Sequence, residues 1–513
     1  MRVLIFHGYL LGGTGSNVYS ANLAAALVDA GHEVHLLSQD RAPLEHDWVD
    51  ATGDWDGGRL ELAARREPVR ATVYRPDLGG LLPVYVADRY DAIEARPFQD
   101  LSEPELDGYL ARNVAAVREV AERARPDVAL ANHLVMGPVV LARALGGLGV
   151  PYAVKVHGSA LEYTVKAHPR FRPYAEEGLA GASGVLVGSR HTAESLWEAM
   201  GDRELPGRTR LGPPGVDVAR FAPREPAAAA DGLRELAASL ERRRPPQSSS
   251  SPRSSFERDP GEAGAALATI DPDADRLVVF VGKLIASKGV ELLLAAWPLV
   301  LARQPAAKLV LVGFGEFRDG LEALAARLAA GELEASAATH GETGEPLTLL
   351  AAFLNGLGER DRETYAAAAA SMTERVVWTG RLDHAELADL LPAAEAMVVP
   401  STFPEAFGMV AAEAAACGAL PVVARHSGLA EVAVTLAEAV PEPARAWLSF
   451  GLGPGAVAEL AAALTGWLEA PEQLRRDTRR AMVAVTRERY SWDGVARTVL
   501  EAAQGRLDGL PDP

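Results

Sequence analysis

The sequence has very little of what secreted, membrane-spanning or nucleic-acid-binding proteins contain. Cys417 is the single cysteine in 513 residues, which excludes an intrachain disulfide and a metal cluster held by several thiolates. No apolar run approaches the roughly 18 to 20 residues that span a bilayer, and the N-terminus lacks the apolar core of a signal peptide. A net charge of −18 argues against a nucleic-acid partner, because it repels the phosphate backbone. We therefore expect a cytoplasmic protein without an integral membrane segment, whose acidic surface leaves room only for weak peripheral contact with a membrane.

The chain is long enough to form two or three hydrophobic cores, and 48% of its residues are hydrophobic. Short apolar runs alternate with helical patterns along its length. We predict strands at 2–7, 33–38, 127–132, 151–157, 184–188, 276–282, 308–312, 375–379, 396–400 and 420–424, with helices such as 17–30 and 290–303 between them. Strands that alternate with helices form right-handed βαβ units, so the sequence predicts an α/β fold with mostly parallel sheets.

Breaks in this alternation indicate the domain organisation. A Pro- and Gly-rich stretch at 213–222 separates an N-terminal domain, residues 1–215, from a C-terminal domain, residues 216–489. The tract 242–264 contains R-R-R-P-P-Q-S-S-S-S-P-R-S-S and predicts a disordered Ser/Pro-rich insertion, because such a composition cannot form a core. Residues 328–373 are predicted to be a second insertion, rich in alanine and partly helical.

A glycine-rich turn, G-G-T-G-S-N, follows the first predicted strand. Gly13 and Gly15 would let the backbone approach a phosphate closely, and the N-terminus of the next helix attracts anions. The spacing matches neither the dinucleotide-binding motif nor the Walker motif. An ordinary strand-to-helix turn is therefore an equally good interpretation of this segment.

Two lysines, Lys283 and Lys288, follow the predicted strand 276–282 in the segment F-V-G-K-L-I-A-S-K-G. Open α/β sheets bind ligands at the carboxyl ends of their strands. Two ammonium groups there could neutralise the charge that develops on a departing diphosphate. The alternative is a pair of solvated surface lysines, but their position just after a strand favours the binding role.

The segment P-S-T-F-P-E-A-F-G-M-V-A-A-E-A-A-A-C-G is the most informative. Glu405 lies in the loop after a strand, where its carboxylate can accept hydrogen bonds from sugar hydroxyls. Glu413 lies in the following helix among small apolar residues, so it needs a partner or a ligand, and acidic residues bind ribose diols in other nucleotide sites. The backbone amides that open toward an anion at this helix N-terminus are those of Phe407, Gly408, Met409 and Val410. Two ordinary surface glutamates are the alternative.

A histidine, His157, ends the strand-like segment V-K-V-H. It could donate a hydrogen bond to a substrate hydroxyl or stabilise a developing charge, although a structural histidine is an equally good interpretation. The sequence contains no H-E-x-x-H motif, no Cys/His metal spacing and no serine nucleophile elbow. We therefore expect no protein-bound metal.

Together these segments resemble the family 4 retaining glycosyltransferases of GT-B fold, over nearly the whole chain except the two insertions. E-A-F-G-M-V-A-A-E is similar to the family's E-x7-E motif, which implies that Glu405 contacts the donor sugar and Glu413 the nucleotide ribose. G-K-L-x-x-x-K-G is similar to the family's phosphate-binding segment, which implies diphosphate contacts for Lys283 and Lys288. The family usually has arginine at the first of these positions, and lysine cannot form its bidentate fork.

Further segments extend the resemblance. V-V-W-T-G-R-L-D is similar to the strand whose following backbone, here near Leu382, contacts the base, and A-V-K-V-H-G implies that His157 faces the transferred sugar. G-G-T-G-S-N-V-Y is similar to the loop that meets the diphosphate and the acceptor. It is also similar to G-G-M-N-V-Y of the mycothiol-pathway N-acetylglucosaminyltransferases, with Asn17 in the matching place as the acceptor contact. Residues 490–513 resemble the family's terminal helix, which packs back onto the N-terminal domain.

The resemblance implies two Rossmann-like domains facing across a cleft, and a hexosyltransferase that retains the anomeric configuration. The co-substrate would be a nucleoside-diphosphate sugar, a UDP-sugar first and GDP-mannose as the alternative, and the acceptor a small molecule, a glycan or a lipid. His157, Lys288 and Glu405 are the predicted catalytic residues. We expect no permanently bound cofactor, no catalytic metal, and either a monomer or a homodimer. The alternatives are a GT-B sugar-nucleotide epimerase, a non-catalytic nucleotide-sugar-binding protein and a redox Rossmann protein, the last disfavoured by the glycine spacing.

Overall fold

The computed structural model describes residues 1–13, 15–85, 94–243 and 258–513. The chain divides into two compact units. Unit 1 consists of residues 1–215 and 490–513, and unit 2 consists of residues 216–489. Of the helices in the described ranges, none is both long and apolar enough to cross a membrane.

Unit 1 is built on a mostly parallel sheet. Its strands in chain order are β1 (Arg2–Phe6), β2 (Glu33–Leu37), β3 (Ala51–Asp56), β4 (Arg59–Ala64), β5 (Ala71–Arg75), β6 (Leu81–Val84), β7 (Glu94–Pro97), β8 (Val128–Asn132), β9 (Tyr152–Lys155), β10 (Gly184–Val187) and β11 (Thr209–Leu211). Among the described residues, β6 and β7 form a separate pair, and the other nine strands follow the order β11-β10-β9-β8-β1-β2-β5-β3-β4. The central strands β1 and β8 are almost continuously apolar and buried, which is typical of a parallel sheet covered on both faces.

Five α-helices come from the described residues of the first segment of unit 1. They are α1 (Gly15–Asp29), α2 (Glu103–Ala124), α3 (Gly137–Leu145), α4 (Arg172–Ala180) and α5 (Arg190–Met200). Helix α2 begins with a capping box, in which Ser102 and Glu105 each accept a hydrogen bond from the other's backbone N–H. Strands β3 and β4 form an antiparallel hairpin that turns at Gly57 and Gly58, whose φ angles of 56° and 82° suit a two-residue turn.

Unit 2 is built on a six-stranded parallel sheet. Its strands are β12 (Arg276–Val281), β13 (Ala307–Val312), β14 (Val376–Gly380), β15 (Ala394–Val399), β16 (Leu420–Ala424) and β17 (Ser449–Phe450), in the order β14-β13-β12-β15-β16-β17 across the described residues. Its helices are α6 (Pro226–Glu241), α7 (Pro260–Leu267), α8 (Val290–Leu301), α9 (Arg318–Ala329), α10 (Leu333–Ala337), α11 (Thr348–Gly356), α12 (Glu359–Ala369), α13 (Met372–Arg375), α14 (His384–Leu390), α15 (Met409–Cys417), α16 (Ser427–Ala439), α17 (Glu442–Arg445), α18 (Ala456–Glu469) and α19 (Glu472–Arg489).

The prediction of a disordered insertion over 242–264 is wrong at its C-terminal end. Helix α7 begins there, and Asp259 caps it by accepting a hydrogen bond from the N–H of Glu262 at 3.0 Å. The apolar side of α7 packs against α6, so this part of the chain contributes to a core despite its polar neighbours. Residues 244–257 lie outside the described residues.

The alanine-rich segment 328–373 folds as packed helices, α10 to α12. Leu350 and Leu354 of α11 and Tyr365 of α12 are buried. The hydroxyl of Tyr365 donates to the carbonyl oxygen of Ala295, in α8, at 2.7 Å. The segment is therefore attached to the core of unit 2.

The chain returns to unit 1 through its last helix, α20 (Trp492–Ala503). This helix packs against α1 and against β8, β9 and β10. The ring centroid of Trp492 lies 5.6 Å from that of Tyr19. A Cβ on Gly215 would lie 2.5 Å from the same indole. The C-terminal segment of unit 1 therefore packs against the end of its N-terminal segment.

Candidate active site

The sheet of unit 2 changes direction between β12 and β15. Strands β13 and β14 extend it from β12 on one side, and β16 and β17 extend it from β15 on the other. Such a topological switch opens a crevice at the carboxyl ends of the two central strands, where open α/β sheets bind ligands. Lys283, which is partly buried, and Lys288 follow β12, and Glu405 follows β15, so these predicted residues border the crevice.

The segments that follow β12 and β15 are held together by their backbones. The N–H of Thr402 donates to the carbonyl oxygen of Ser287 at 2.9 Å. Gly289 has a φ of 67°, and a Cβ there would lie 2.1 Å from the carbonyl oxygen of Pro400. Only glycine fits both the conformation and the approach, which explains why a glycine follows Lys288 in the sequence.

Lys288 and Glu405 form an ion pair across this contact. The hydroxyl of Ser401 also donates to Oε1 of Glu405, at 2.8 Å. Burial raises the pKa of Glu405, but the charge and hydrogen bond of Lys288, the hydroxyl of Ser401 and the charge of His426 together lower it below its usual value. The carboxylate is therefore ionised at neutral pH and acts only as an acceptor.

Helix α15 begins beside the ion pair. Its N-cap residue, Gly408, has a φ of 129°, and a Cβ there would lie 2.7 Å from a methyl carbon of Leu429. Met409 and Val410 form a partly exposed first turn, whose N–H groups have no acceptor within the helix. Phe407, just before the cap, is buried. The helix N-terminus can thus stabilise an anion with its dipole and its first amides.

Glu413, in the middle of α15, has a partner that the sequence did not reveal. Nε2 of His384 and Oε1 of Glu413 are 2.7 Å apart. His384 begins α14, just after the connection from β14 that contains the buried Leu382. Burial lowers the pKa of His384, but the hydrogen bond and the charge of Glu413 raise it above its usual value. The apolar surroundings of Glu413 signalled that it needs a partner, but no local spacing identifies a histidine 29 positions away.

The sheet of unit 1 has a corresponding switch between β1 and β8. His7 follows β1, His133 follows β8 and His157 follows β9; we call these three residues the histidine cluster. The ring centroid of His133 lies 4.8 Å from that of His157 and 5.8 Å from that of His7. Nε2 of His157 and Oδ1 of Asn132 are 3.0 Å apart. The predicted His157 is therefore one member of a group of three histidines. No motif in the sequence indicated that His7 belongs to this group.

The histidine cluster is neutral at physiological pH. Burial lowers the pKa of His7 to about 4. Burial, followed by neighbouring basic groups, lowers the pKa of His133 and His157 well below 6.5. Both ring nitrogens of His133 are buried and have no hydrogen-bond partner in the described part of the chain. Neutral imidazoles can exchange hydrogen bonds with hydroxyl groups without introducing charge.

The glycine-rich turn is tied to this cluster through Asn17. Gly13 is exposed with a φ of 92°, and Gly15 is the first residue of α1. Asn17 is buried; its side-chain oxygen lies 2.9 Å from Nε2 of His7, and its Nδ2 donates to the carbonyl oxygen of Gly12 at 2.7 Å. Asn17 therefore connects the turn to the histidine cluster, and its contact with an acceptor stays a prediction.

Family models match most of the chain. The model described as Glycosyltransferase Family 4 matches residues 13–220, and two models described as Glycosyl transferases group 1 match residues 275–356 and 352–489. The chain belongs to the family 4 glycosyltransferases. As a member of this family, it is an enzyme that transfers a glycosyl group.

Two relatives align with this glycosyltransferase over nearly its whole length. The D-inositol 3-phosphate glycosyltransferase 2 of Catenulispora acidiphila is 25% identical over 493 residues, which cover 93% of this chain and 96% of the relative. The D-inositol 3-phosphate glycosyltransferase of Thermomonospora curvata is 27% identical over 501 residues, with coverages of 93% and 96%. Over a shorter stretch of 138 residues, 26% of this chain and 30% of the relative, the glycogen synthase of Mycobacterium tuberculosis is 35% identical.

Solved structures show the same architecture. The sucrose-phosphate synthase of Thermosynechococcus elongatus aligns with a TM-score of 0.57 at 18% identity, over 98% of each chain. The Anabaena protein HepE, in complex with UDP and glucose, aligns with a TM-score of 0.56 at 17% identity, over 98% of this chain and 99% of that one. The predicted GT-B fold is therefore confirmed. Among the described residues, the histidine cluster included, no group of three or more His, Cys, Asp and Glu side chains is arranged to hold a metal ion.

Proposed function

We propose that this glycosyltransferase moves a hexosyl group from a nucleoside-diphosphate sugar to an acceptor hydroxyl and retains the anomeric configuration. The observation that carries the proposal is the crevice of unit 2, where Lys288, Glu405 and the first turn of α15 lie together. This arrangement offers a cation and backbone amides to a diphosphate, and a carboxylate to sugar hydroxyls. A UDP-sugar is the first candidate donor, and GDP-mannose is the alternative.

The leaving diphosphate is bound, in this proposal, by Lys288, Lys283 and the N-terminus of α15. Ammonium groups and a helix N-terminus stabilise the negative charge that grows on the leaving oxygen as its bond to the sugar breaks. Such groups are already oriented before the reaction, so little reorganisation is needed when the charge appears. Gly13 and Gly15 are proposed to approach the same diphosphate through their backbone.

The chemical step that we propose is a front-face substitution. The bond between the anomeric carbon and the diphosphate oxygen breaks, and the bond to the acceptor oxygen forms on the same face of the sugar. The acceptor proton passes to the departing diphosphate oxygen, so atoms and charges balance. Because Glu405 is ionised and His157 is neutral, we assign them to orienting sugar hydroxyls rather than to moving the proton.

The nucleoside is proposed to lie against β14 and α15. The carboxylate of Glu413 would accept hydrogen bonds from the ribose diol, as acidic residues do in other nucleotide sites. The backbone near Leu382 would contact the base. Asn17 is proposed as an acceptor contact, acting from the glycine-rich turn that it holds.

The names of similar proteins suggest the first substrates to test. One structural neighbour was solved with UDP and glucose, and two relatives are named D-inositol 3-phosphate glycosyltransferases. UDP-glucose is therefore the first donor, and an inositol phosphate the first acceptor. Both belong to the small-molecule class of substrates, for which an enzyme needs no membrane contact.

A donor screen tests the proposal. UDP-, GDP- and ADP-sugars are added to the full chain and its thermal midpoint is measured, because a ligand that binds the folded state raises the midpoint. Donors that stabilise the protein are then assayed for hydrolysis and for transfer to inositol phosphate and neutral polyols, with and without EDTA. We expect one donor class to stabilise the wild type, and transfer to be unaffected by EDTA. Stabilisation by none of the donors, or isomerisation of a donor without transfer, would contradict the proposal.

A further inference from the structure

The two carboxylate oxygens of Glu413 have different surroundings. Oε1 lies 2.7 Å from Nε2 of His384, whereas no group in the described part of the chain donates to Oε2. The side chain of Glu413 is only 4% exposed. Oε1 is therefore occupied within the protein, and Oε2 is the oxygen that stays available to a ligand. Hydroxyl groups of a ligand are suitable donors to this oxygen.

The ring of His384 is fixed by its neighbours. It lies against Phe221, with ring centroids 4.8 Å apart, and Phe221 is fully buried. The backbone of His384 is fixed as well, because Asp383 and Glu386 form a capping box around the start of α14. The imidazole therefore presents Nε2 to Glu413 in one orientation.

Two arginines hold the acidic start of α14; we call Arg243 and Arg258 the arginine clamp. Arg243 donates to Oε1 of Glu386 at 2.6 Å, and Arg258 donates to Oε2 at 2.5 Å. Arg258 also pairs with Oδ2 of Asp383 at 2.6 Å. Glu386 is only 5% exposed, so removal of one arginine would leave a buried charge with less compensation. The clamp joins the two ends of the undescribed segment 244–257 to the helix that carries His384.

We propose that His384, held by the arginine clamp, is the positioning residue of a ribose subsite: it binds Oε1 of Glu413 and thereby presents Oε2 to the vicinal diol of the nucleotide. This role rests on the proposed function, because it belongs to the same donor site. It adds to that function the residue that orients the carboxylate. His384 acts through Glu413 and does not contact the nucleotide.

Calorimetric titration with two probes tests this role. The probes are uridine 5′-diphosphate and its 2′,3′-dideoxy analogue, which lacks the diol, or the guanosine pair if the donor screen selects guanosine. We expect the wild type to bind the diol-containing probe about 10- to 100-fold more tightly, the range for hydrogen bonds to a charged group. In His384→Leu this preference should fall to about threefold or less, because Glu413 loses its partner. His384→Gln retains a side-chain N–H donor and should keep most of the preference.

A double-mutant cycle separates positioning from a general structural effect. Glu413→Gln should abolish most of the preference, and adding His384→Leu should not lower it further. Arg258→Gln should weaken binding of the diol-containing probe about two- to fivefold, less than His384→Leu, because Arg243 remains on Glu386. His340→Leu, at an exposed position of unit 2, is the control and should match the wild type. In turnover assays, His384→Leu should raise the donor KM more than it lowers kcat.

The outcomes distinguish this role from the proposed function. A wild type that binds no nucleoside diphosphate contradicts the proposed function itself. A wild type that prefers the diol, with the same preference in His384→Leu, contradicts the positioning role and leaves the proposed function standing. If His384→Leu does not fold, Arg258→Gln provides the test. Unchanged affinity for the diol-containing probe and an unchanged preference for it would overturn the positioning role, and a weaker preference would support it.

Discussion

The two topological switches have the same backbone plan and opposite electrostatics. In unit 1, burial and neighbouring basic groups hold the pKa of His133 and His157 well below the usual value, so the histidine cluster is neutral. In unit 2, burial also acts on His384, but Glu413 raises its pKa above the usual value. The pKa of histidine is therefore lowered in unit 1 and raised in unit 2. The presence of a carboxylate partner distinguishes the two regions.

The topology therefore determines where a ligand can bind, and the residues after the strands determine which chemistry the ligand meets. Neutral imidazoles suit uncharged hydroxyl groups, which both donate and accept hydrogen bonds. The Lys288–Glu405 pair and the N-terminus of α15 suit an anion that also carries hydroxyl groups.

The largest effect is expected from Lys288→Ala. Loss of one group that stabilises the leaving diphosphate should lower kcat by about 100- to 1000-fold. Steady-state turnover with a saturating donor is the measurement. Arg303→Ala, which removes an exposed pair with Glu469, is the matched control and should keep the wild-type rate. A near-normal rate in Lys288→Ala would show that the charged crevice of unit 2 does not carry the reaction.

A smaller effect is expected from His157→Ala in unit 1. Loss of one or two hydrogen bonds to the sugar should lower kcat by about 10- to 100-fold. Because His157 is neutral at physiological pH, the ratio of variant to wild-type rates should stay constant between about pH 6 and 8. Rate profiles over this range are the measurement, with His46→Ala as the control. A ratio that changes steeply near pH 6.5 would show that the cluster becomes charged, and the contrast between the units would fail.

Glu291, at the start of α8 in unit 2, is a buried acid that pairs with no cation among the residues that the structure describes. Burial, followed by the charges of Glu342 and Glu345, raises its pKa to about 8. Between about pH 4.5 and 8, Glu291 keeps its proton in the native protein but has lost it in the unfolded chain. This residue therefore makes the free energy of unfolding fall as pH rises over that range. Glu291→Gln cannot ionise, and its stability relative to the wild type should rise by about 3 kcal/mol from pH 5 to pH 8. Urea denaturation at both pH values measures this change, and it should be absent from the exposed control Glu322→Gln.

Lys155, in unit 1, should cause a smaller change of stability with pH, and one of the opposite sign. Its Nζ donates to the carbonyl oxygen of Gly212 at 2.6 Å, and burial lowers its pKa to about 7. Below pH 7 the buried ammonium group lowers the free energy of unfolding by its full amount. Above pH 7 this loss decreases, because Lys155 is neutral in the native protein but still protonated in the unfolded chain. The stability of Lys155→Met relative to the wild type should therefore fall by about 2 kcal/mol from pH 7 to pH 9. Denaturation of the variant and of Lys166→Met, an exposed control, would test this; a change of the same sign as for Glu291→Gln would contradict it.

The sequence predicted the central strands of both sheets because they are short apolar runs between helical patterns. Strand β12 is an example, since all of its residues after Arg276 are apolar and the middle four are buried. The hairpin of β3 and β4 was missed because β3 contains Gly53 and two aspartates, and because β4 alternates leucine with exposed charged residues. Its one local signal was the Gly57–Gly58 turn.

The candidate site was predictable where its residues directly follow the carboxyl ends of strands. Lys288 follows one strand and Glu405 another, so topology alone brings them to the same crevice. The partner of Glu413 could not be predicted, because His384 approaches it through the tertiary fold. For the same reason Asn17 was predicted to face an acceptor, and the contact that buries it against His7 was not foreseen.

The glycine at position 289 has a consequence for how this enzyme can change. Its backbone lies against Pro400, so any side chain would push apart the two segments that carry Lys288 and Glu405. A substitution there would disturb both halves of the charged pair at once, whereas a substitution of either charged residue disturbs one. New donor preferences are therefore more accessible through the surrounding side chains than through position 289.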